Sequence, residues 1–391
     1  HRGGWENKYV IGLTGNIDTG KSLVRRMLEH LGAYTIDADG LTHQVMAPGA
    51  PAYQPVITIF GQWILDSEKR IDRSKLSAVV FSHPEALARL EALTHPIIGR
   101  AIDTLIQRAR QKVVVVEAIK LLEGQLASQM DAIWVVDAPE EQQLQRLAKR
   151  GLSPAEAQKR VRVQNPQSEK LAHAAVVIHN NSTPEAAWAQ VRAAWSKIQG
   201  SAEAEAAQEK VERIQVSQDQ KRATGMMEIT SLDIMRGGPR TAHMINALIR
   251  QRTGKDMNKD DLLMRLGEKS YLLAVANGEP VGLIGLLVEN LVTRVDELFV
   301  VDKAPVEPVA RALVQQMEVA SRELQSEVGY IFLPPTIQQA MGQTLLQEGY
   351  EKQELEDIKI PAWREAARES RPDNTHIFAK KLRAERVLKP L

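Results

Sequence analysis

The stretch Tyr9-Val-Ile-Gly-Leu-Thr-Gly-Asn-Ile-Asp-Thr-Gly-Lys-Ser22 limits the folds open to this chain more than any other. Tyr9 to Leu13 is apolar and long enough for one buried strand. Gly15-x-x-x-x-Gly20-Lys21-Ser22 follows, and then a helical pattern with Leu23, Met27, Leu28 and Leu31 on one face. Strand, glycine-bearing loop and helix in that order make a phosphate cradle, in which successive backbone N–H groups and the helix N-terminus face phosphate oxygens. A chance match in a glycine-containing turn would lack these flanks. The loop Gly15, Asn16, Ile17, Asp18, Thr19, Gly20, Lys21 and Ser22 is therefore the expected nucleotide site. Lys21 is expected to reach the β- and γ-phosphates and the Ser22 hydroxyl to ligate Mg²⁺.

The apolar runs that follow place this loop in a parallel sheet. Tyr34 to Ile36 reads as a short strand ending in Asp37-Ala38-Asp39, at the carboxyl edge where α/β sheets hold ligands. Val113 to Val116 is apolar throughout, as a central parallel strand is. Ile133 to Val136 and Val176 to Ile178 read as further strands. Between them lie helical patterns. One starts at Ser82-His83-Pro84-Glu85 and is expected to end at His95-Pro96, with a separate helix over Ile97 to Ala109. Pro139 opens a basic helix carrying Arg146 and Arg150, and Ser153-Pro154-Ala155-Glu156 is a capping box. Trp188, Val191, Trp195 and Ile198 share a helix face, which places the tryptophans in a core rather than on a base-stacking surface.

Composition narrows the function classes. A chain of 391 residues predicts two or three domains. With 50 basic and 49 acidic side chains the net charge is +1, which argues against a dedicated nucleic-acid or membrane-surface binder. The absence of cysteine excludes disulfides, thiolate metal sites and a cysteine nucleophile. No run of about 18 apolar residues is present, and no basic-then-apolar leader opens the chain, so a soluble cytoplasmic protein is the expectation.

Residues 8 to about 198 resemble dephospho-coenzyme A kinases. The resemblance is carried by Gly15 to Ser22, Asp37-Ala38-Asp39 with His43, Pro48-Gly-Ala-Pro-Ala-Tyr53, Phe60-Gly61, Ile71-Asp72-Arg73, Val80-Phe81 and His95-Pro96. It continues through Gln145-Arg146-Leu147-x-x-Arg150, Arg160-x-x-x-Gln164, Lys170 and Val177-Ile178-His179-Asn180. It implies an α/β P-loop NTPase fold, a parallel sheet with a helical lid. It also implies ATP and Mg²⁺ as cofactors, and transfer of the γ-phosphate to the ribose 3′-hydroxyl of dephospho-coenzyme A. Asp39 matches the carboxylate that orients that hydroxyl and accepts its proton. Asp37 matches an orienting or metal-shell group. The alternative for this pair is that it caps the following helix. Arg146 matches a lid arginine over the transferring phosphoryl group, and with Asp39 and Lys21 completes the expected catalytic set. Arg150 and Arg160 are left outside it, as solvated lid charges.

Three positions depart from that family's pattern. Asn16 and Asp18 stand where glycines are usual. Both tolerate left-handed backbone, but a carboxylate about 4 Å from a phosphate charge is repelled by about 4 kcal/mol at an effective dielectric of 20, so the Asp18 side chain is expected to turn outward. Ile119 and Lys120 replace a proline and a leucine in the strand-end pattern, while the carboxylates Glu117 and Glu123 remain. Ala175 replaces the usual aspartate before the last strand.

Gly200 to Thr224, rich in Ala, Glu, Gln, Lys and Arg, reads as a linker. The expected units are residues 1–199, a linker over 200–225, and 226–391. In the last, Met227 to Leu232, Tyr271 to Val275, Val281 to Leu287, Arg294 to Val300, Tyr330 to Leu333 and Thr375 to Lys380 read as strands. Arg240 to Arg252, the stripe Val309–Leu313–Met317–Leu324, and Thr336 to Gln347 read as helices. Asn277-Gly278 is a hairpin turn. This succession resembles the α+β fold of Gcn5-related N-acetyltransferases. That family binds the acyl-coenzyme A pyrophosphate on a glycine-rich turn opening the central helix. Here the turn is Ala304-Pro-Val-Glu-Pro-Val-Ala310, without glycine, so the unit reads as a non-catalytic module with a CoA-like ligand or a protein partner. Arg364 to Arg371 and Lys380 to Arg386 read as solvated charge. Two other readings of the whole chain stay open: a P-loop kinase with a different acceptor, and a non-catalytic nucleotide- or CoA-binding regulator.

Overall fold

Five runs of β-branched residues form one sheet because each can be covered on both faces by the helices between them. The computed structural model describes residues 4–199, 212–214, 227–238, 241–336 and 339–387. In its first half the strands are β1 (Tyr9–Thr14), β2 (Tyr34–Asp37), β3 (Val113–Glu117), β4 (Ala132–Asp137) and β5 (Val176–His179). They are parallel in the order β2-β3-β1-β4-β5. The carboxyl ends of β1 and β3 lie side by side, with Leu13 opposite Glu117, and Asp37 opposite Glu117 on the other flank. The loop, the aspartate pair and Glu117 therefore converge at one sheet edge, as expected of the P-loop fold.

Helices α1 (Lys21–His30), α2 (Ala38–Val45), α3 (Tyr53–Phe60), α4 (Arg73–Ser82) and α5 (Pro84–Arg108) follow in turn. The expected break at His95-Pro96 does not occur: α5 runs 25 residues with Pro96 inside it. The apolar stripe Leu87, Leu90, Leu93, Ile97, Ile98 keeps its period through the proline and packs on one cluster. Burial thus offsets the ladder bond that Pro96 cannot donate. Helices α6 (Glu140–Lys149), α7 (Pro154–Arg162) and α8 (Gln167–Ala172) stand over the loop, and the Ser153–Glu156 capping box forms. Helix α9 (Pro184–Gln199) buries Val191 and Trp195, with Trp188 packed beside them, in the core expected for them.

The second half is an eight-stranded sheet, ordered β12-β13-β11-β10-β9-β8-β7-β6. Its strands are β6 (Glu212–Ile214), β7 (Leu232–Arg236), β8 (Ser270–Ala276), β9 (Glu279–Glu289), β10 (Val292–Val300), β11 (Val328–Leu333), β12 (Glu351–Gln353) and β13 (His376–Lys381). Among the described residues of this sheet only β10 and β11 pair in parallel. Helices α10 (Ala242–Thr253), α11 (Lys259–Glu268), α12 (Val306–Glu323), α13 (Gln339–Gln347) and α14 (Pro361–Ser370) complete it. The order of elements is that of the acetyltransferase-like α+β fold.

Four local expectations are corrected. The strand expected at Met227 begins at Leu232, where Ile234 and Leu232 turn into the core. Helix α11 was not expected; Leu262 and Leu266 bury one face of it. Most of the 200–225 linker lies outside the described residues, but within it β6 pairs with β7. The charged run Arg364–Arg371 is not a free surface. It lies in α14, which buries Ala366 and Ala367 and faces the first half: Arg368 meets Glu68 at 2.8 Å, Glu365 meets Arg70 at 3.0 Å and Glu369 meets Arg73 at 3.0 Å. Of the second charged run, Lys380 lies in β13 and pairs with Glu318 at 2.6 Å, and Arg386 lies 3.3 Å from Glu327.

The two halves also share core. Leu291, at the turn between β9 and β10, and Val387 belong to the same buried cluster as Tyr34, Ile36, Leu41 and Leu105 of the first half.

Candidate active site

The loop after β1 turns on two glycines. Gly15 has φ 151° and Gly20 φ 101°; a Cβ on Gly20 would lie 2.1 Å from the Asn180 amide nitrogen, so no larger residue fits there. Asp18 takes φ 52°, the left-handed geometry expected of it. Lys21 is buried at the start of α1, its ammonium donating to the Asn16 carbonyl at 3.0 Å. Burial pushes its pKa below the ordinary lysine value, against the pull of Glu117, Asp39 and Asp18.

The lid lies on this loop through side chains. Asn16 N–H donates to Gln167 at 3.1 Å and Ile17 N–H to Gln164 at 2.6 Å. Lys170 is buried and donates to the Asn16 side-chain carbonyl at 2.8 Å; burial, and then the neighbouring Lys21, push its pKa down to about 8. Asn16 thus acts through its side chain rather than through left-handed backbone. Arg146 donates to the Asp18 carbonyl at 2.9 Å and to the Asn180 carbonyl at 2.9 Å, so its guanidinium is held against the loop. The Asp18 side chain does not turn out to solvent: it is enclosed, and Arg150 meets it at 3.0 Å. Arg150 is itself largely exposed, the lid-surface charge expected of it, and it offsets the charge of Asp18.

The aspartate pair divides its tasks. Asp37 caps α2, its carboxylate accepting from Gly40 N–H at 2.9 Å. Asp39 instead accepts from the Ile119 N–H at 3.1 Å, across the cleft. The capping alternative therefore holds for Asp37 and not for Asp39. A proline at 119, usual in the resembling family, has no N–H to give. Desolvation by the cleft walls raises the Asp39 carboxyl to about 6; the Ile119 bond and Lys21 oppose this, and Asp37 and Glu117 add to it. Asp39 itself stays open to the cleft. Lys120, the other departure, forms ion pairs with Glu91 at 3.0 Å and Glu123 at 3.5 Å.

Glu117 ends β3 beside the loop. The Ser22 hydroxyl lies 3.4 Å from one of its oxygens, and Arg25 Nε 2.6 Å from the other. That second contact is a close charge pair off the hydrogen-bonding axis. Lys21 thus lies within electrostatic reach of Asp39 and Glu117, Ser22 stands beside Glu117, and Arg146 is held on the Asp18 carbonyl of the same loop. The lid contacts of Gln164, Lys170 and Asn180 were signalled only by membership in the resembling pattern, and Gln167 carried no signal. A cavity of about 730 Å³ between the halves, lined by Pro48, Arg100, Trp363 and Arg386 among others, lies apart from this cleft.

The model of the dephospho-CoA kinase family matches residues 9–185. Over 192 residues the chain is 43% identical to the dephospho-CoA kinase of Geobacter metallireducens, covering 48% of this chain and 96% of that protein. The chain belongs to the dephospho-CoA kinase family. Among solved structures, a dephospho-CoA kinase from Campylobacter jejuni aligns at 27% identity and TM-score 0.35, covering 49% of this chain and 98% of that one. A PaiA N-acetyltransferase from Thermoplasma acidophilum in complex with coenzyme A aligns at 11% identity and TM-score 0.31, over 39% of this chain and 99% of that one.

Proposed function

We infer that the chain transfers the γ-phosphoryl group of ATP to the 3′-hydroxyl of dephospho-coenzyme A, giving coenzyme A and ADP. Family membership over the whole length of the kinase supports the reaction. The observation that carries the assignment of roles is the placement of Asp39 across the cleft from the loop, with its carboxylate fixed by Ile119 N–H. In this reading Asp39 takes the hydroxyl proton as the oxygen bonds to the γ-phosphorus and the bond to the β-phosphate oxygen breaks. A carboxyl near 6 suits a base working at neutral pH. Lys21 and Arg146 bind and neutralise the phosphoryl oxygens, where charge is spread in the transition state.

Mg²⁺ fits the donors present. Among the described residues no cluster of three or more His, Asp or Glu could hold a metal ion by itself. A hydroxyl and a carboxylate beside substrate phosphates are the usual protein share of a Mg²⁺ site, and Ser22 with Glu117 supplies them. Bound there, the ion would screen the β- and γ-phosphate charge.

For the second half we propose a non-catalytic role, because α12 opens on Pro305 without glycine. We place the start of this unit at or before Glu212, since β6 is part of its sheet. Among the described residues no helix is long and apolar enough to cross a membrane. The test of the reaction is direct: the purified chain, ATP, Mg²⁺ and dephospho-coenzyme A should yield coenzyme A, detected by mass spectrometry. ATP binding with no turnover of this acceptor would point to another one.

A further inference from the structure

The two-residue turn between β9 and β10 is built against local preference. Asn290 and Leu291 both have positive φ, 51° and 66°. Such turns ordinarily carry glycine at the second position, and a leucine there is strained. Leu291 holds that geometry with its side chain buried in the first half's core. The carbonyl of Asn290 accepts from Gln44 of α2. The side chain of Asn290 lies against Gly40, where a Cβ would come within 2.6 Å of its amide. The turn is thus wedged onto the helix that carries Asp39.

Glu289, the residue before the turn, reaches α1. One of its oxygens accepts from Arg25 at 2.6 Å and from Arg26 at 2.9 Å. Arg25 and Arg26 are almost fully buried. Arg26 also pairs with Glu29 at 2.5 Å, and Arg294 stands 3.9 Å from Glu289. Arg25 therefore stands between two carboxylates: Nη2 is hydrogen-bonded to Glu289 of the second half, and Nε is in close charge contact with Glu117 beside Ser22. A guanidinium held at both ends has one orientation; held at one end, it can swivel.

We propose that Glu289 is a positioning residue for the kinase site. By fixing Arg25 it sets Glu117 beside Ser22, and so couples the second half to the metal-dependent part of nucleotide binding. The proposal rests on Ser22 and Glu117 being the protein's share of the Mg²⁺ site. Partners behind metal ligands of this sort typically set about 10- to 100-fold in affinity.

The test uses the full chain and equilibrium binding of a fluorescent methylanthraniloyl-ATP, with Mg²⁺ and with EDTA. In the unaltered chain Mg²⁺ tightens binding. Glu289→Gln keeps the shape and removes the charge. It is expected to cut the Mg²⁺-dependent gain about tenfold while leaving the affinity in EDTA within about twofold. Should Glu289→Gln not fold, Arg25→Lys keeps the cation and loses the fork, and the same selective loss is expected. A purely structural role would move both affinities together, and that result, or no change in either, overturns the proposal. No Mg²⁺ effect in the unaltered chain would overturn both the metal assignment and the proposal. Because the readout is binding, failure to turn over dephospho-coenzyme A leaves it intact and tells against the acceptor alone.

Discussion

Two helices of this chain begin where a strand hands over to the face of a sheet, and only one begins as a site. Helix α1 is entered through Gly20, whose missing side chain lets the backbone pass Asn180. Helix α12 is entered through Pro305, with Pro308 in its first turn. Val309 fills the space beneath it so closely that a Cβ on Gly282 would come within 2.8 Å of Val309. Glu307 adds a carboxylate there, answered by Arg311 at 2.9 Å, which in turn meets Glu348 at 2.8 Å. Both helices have the same dipole. What differs is how closely a ligand can approach the backbone at the helix start, and glycine or proline decides that.

Arg146 is the strongest place to break this contrast. Arg146→Ala should lower kcat by about 10³ to 10⁵ in the coenzyme A-forming assay, with nucleotide affinity changed far less. Asp39→Asn should lower kcat by about 10² to 10⁴ and leave ATP binding intact; equal loss of both would deny Asp39 a role in the chemistry. Because the base works only when deprotonated, kcat/KM should fall about tenfold per pH unit below about 6, the Asp39 value. The Ile119 N–H stabilises the charged carboxylate. Ile119→Pro should therefore move that limb to higher pH; an unmoved limb would assign it to another group. The smallest effect belongs to α12. Glu307→Gln removes a half-exposed ion pair and should change stability by at most about 1 kcal/mol in denaturant unfolding. Neither that variant nor the unaltered chain should release free thiol from acetyl-coenzyme A in the presence of an amine.

Local pattern made the sheet legible. β1, β3 and β4 are short apolar runs bounded by charge or turn residues, and their parallel order follows from the helices between them. The loop and Asp39 were legible because their chemistry is tied to close spacing in sequence. The lid contacts were not: Gln164 and Gln167 meet Ile17 and Asn16 across about 150 positions, and no local pattern encodes that. Pro96 misled because a proline's local cost was weighed without the packing on both sides of it. The run in α14 misled because a charged run reads as solvated until its partners are known. Those partners, Glu68, Arg70 and Arg73, lie on other elements.

The turn at Leu291 has a consequence for the order of events during synthesis. Arg25 and Glu289 are separated by 264 positions. Every strand of the first sheet leaves the ribosome before β9 does, and domains generally fold as they emerge. Until the β9–β10 hairpin arrives the first half lacks the Glu289 contact of Arg25 and Arg26, and its core lacks the side chain of Leu291. The pairs Arg25–Glu117 and Arg26–Glu29 lie within the first half, and only the contacts of the two arginines with Glu289 wait for the β9–β10 hairpin. The newborn kinase thus lacks one buried carboxylate of the finished one, and the second half of the chain supplies it.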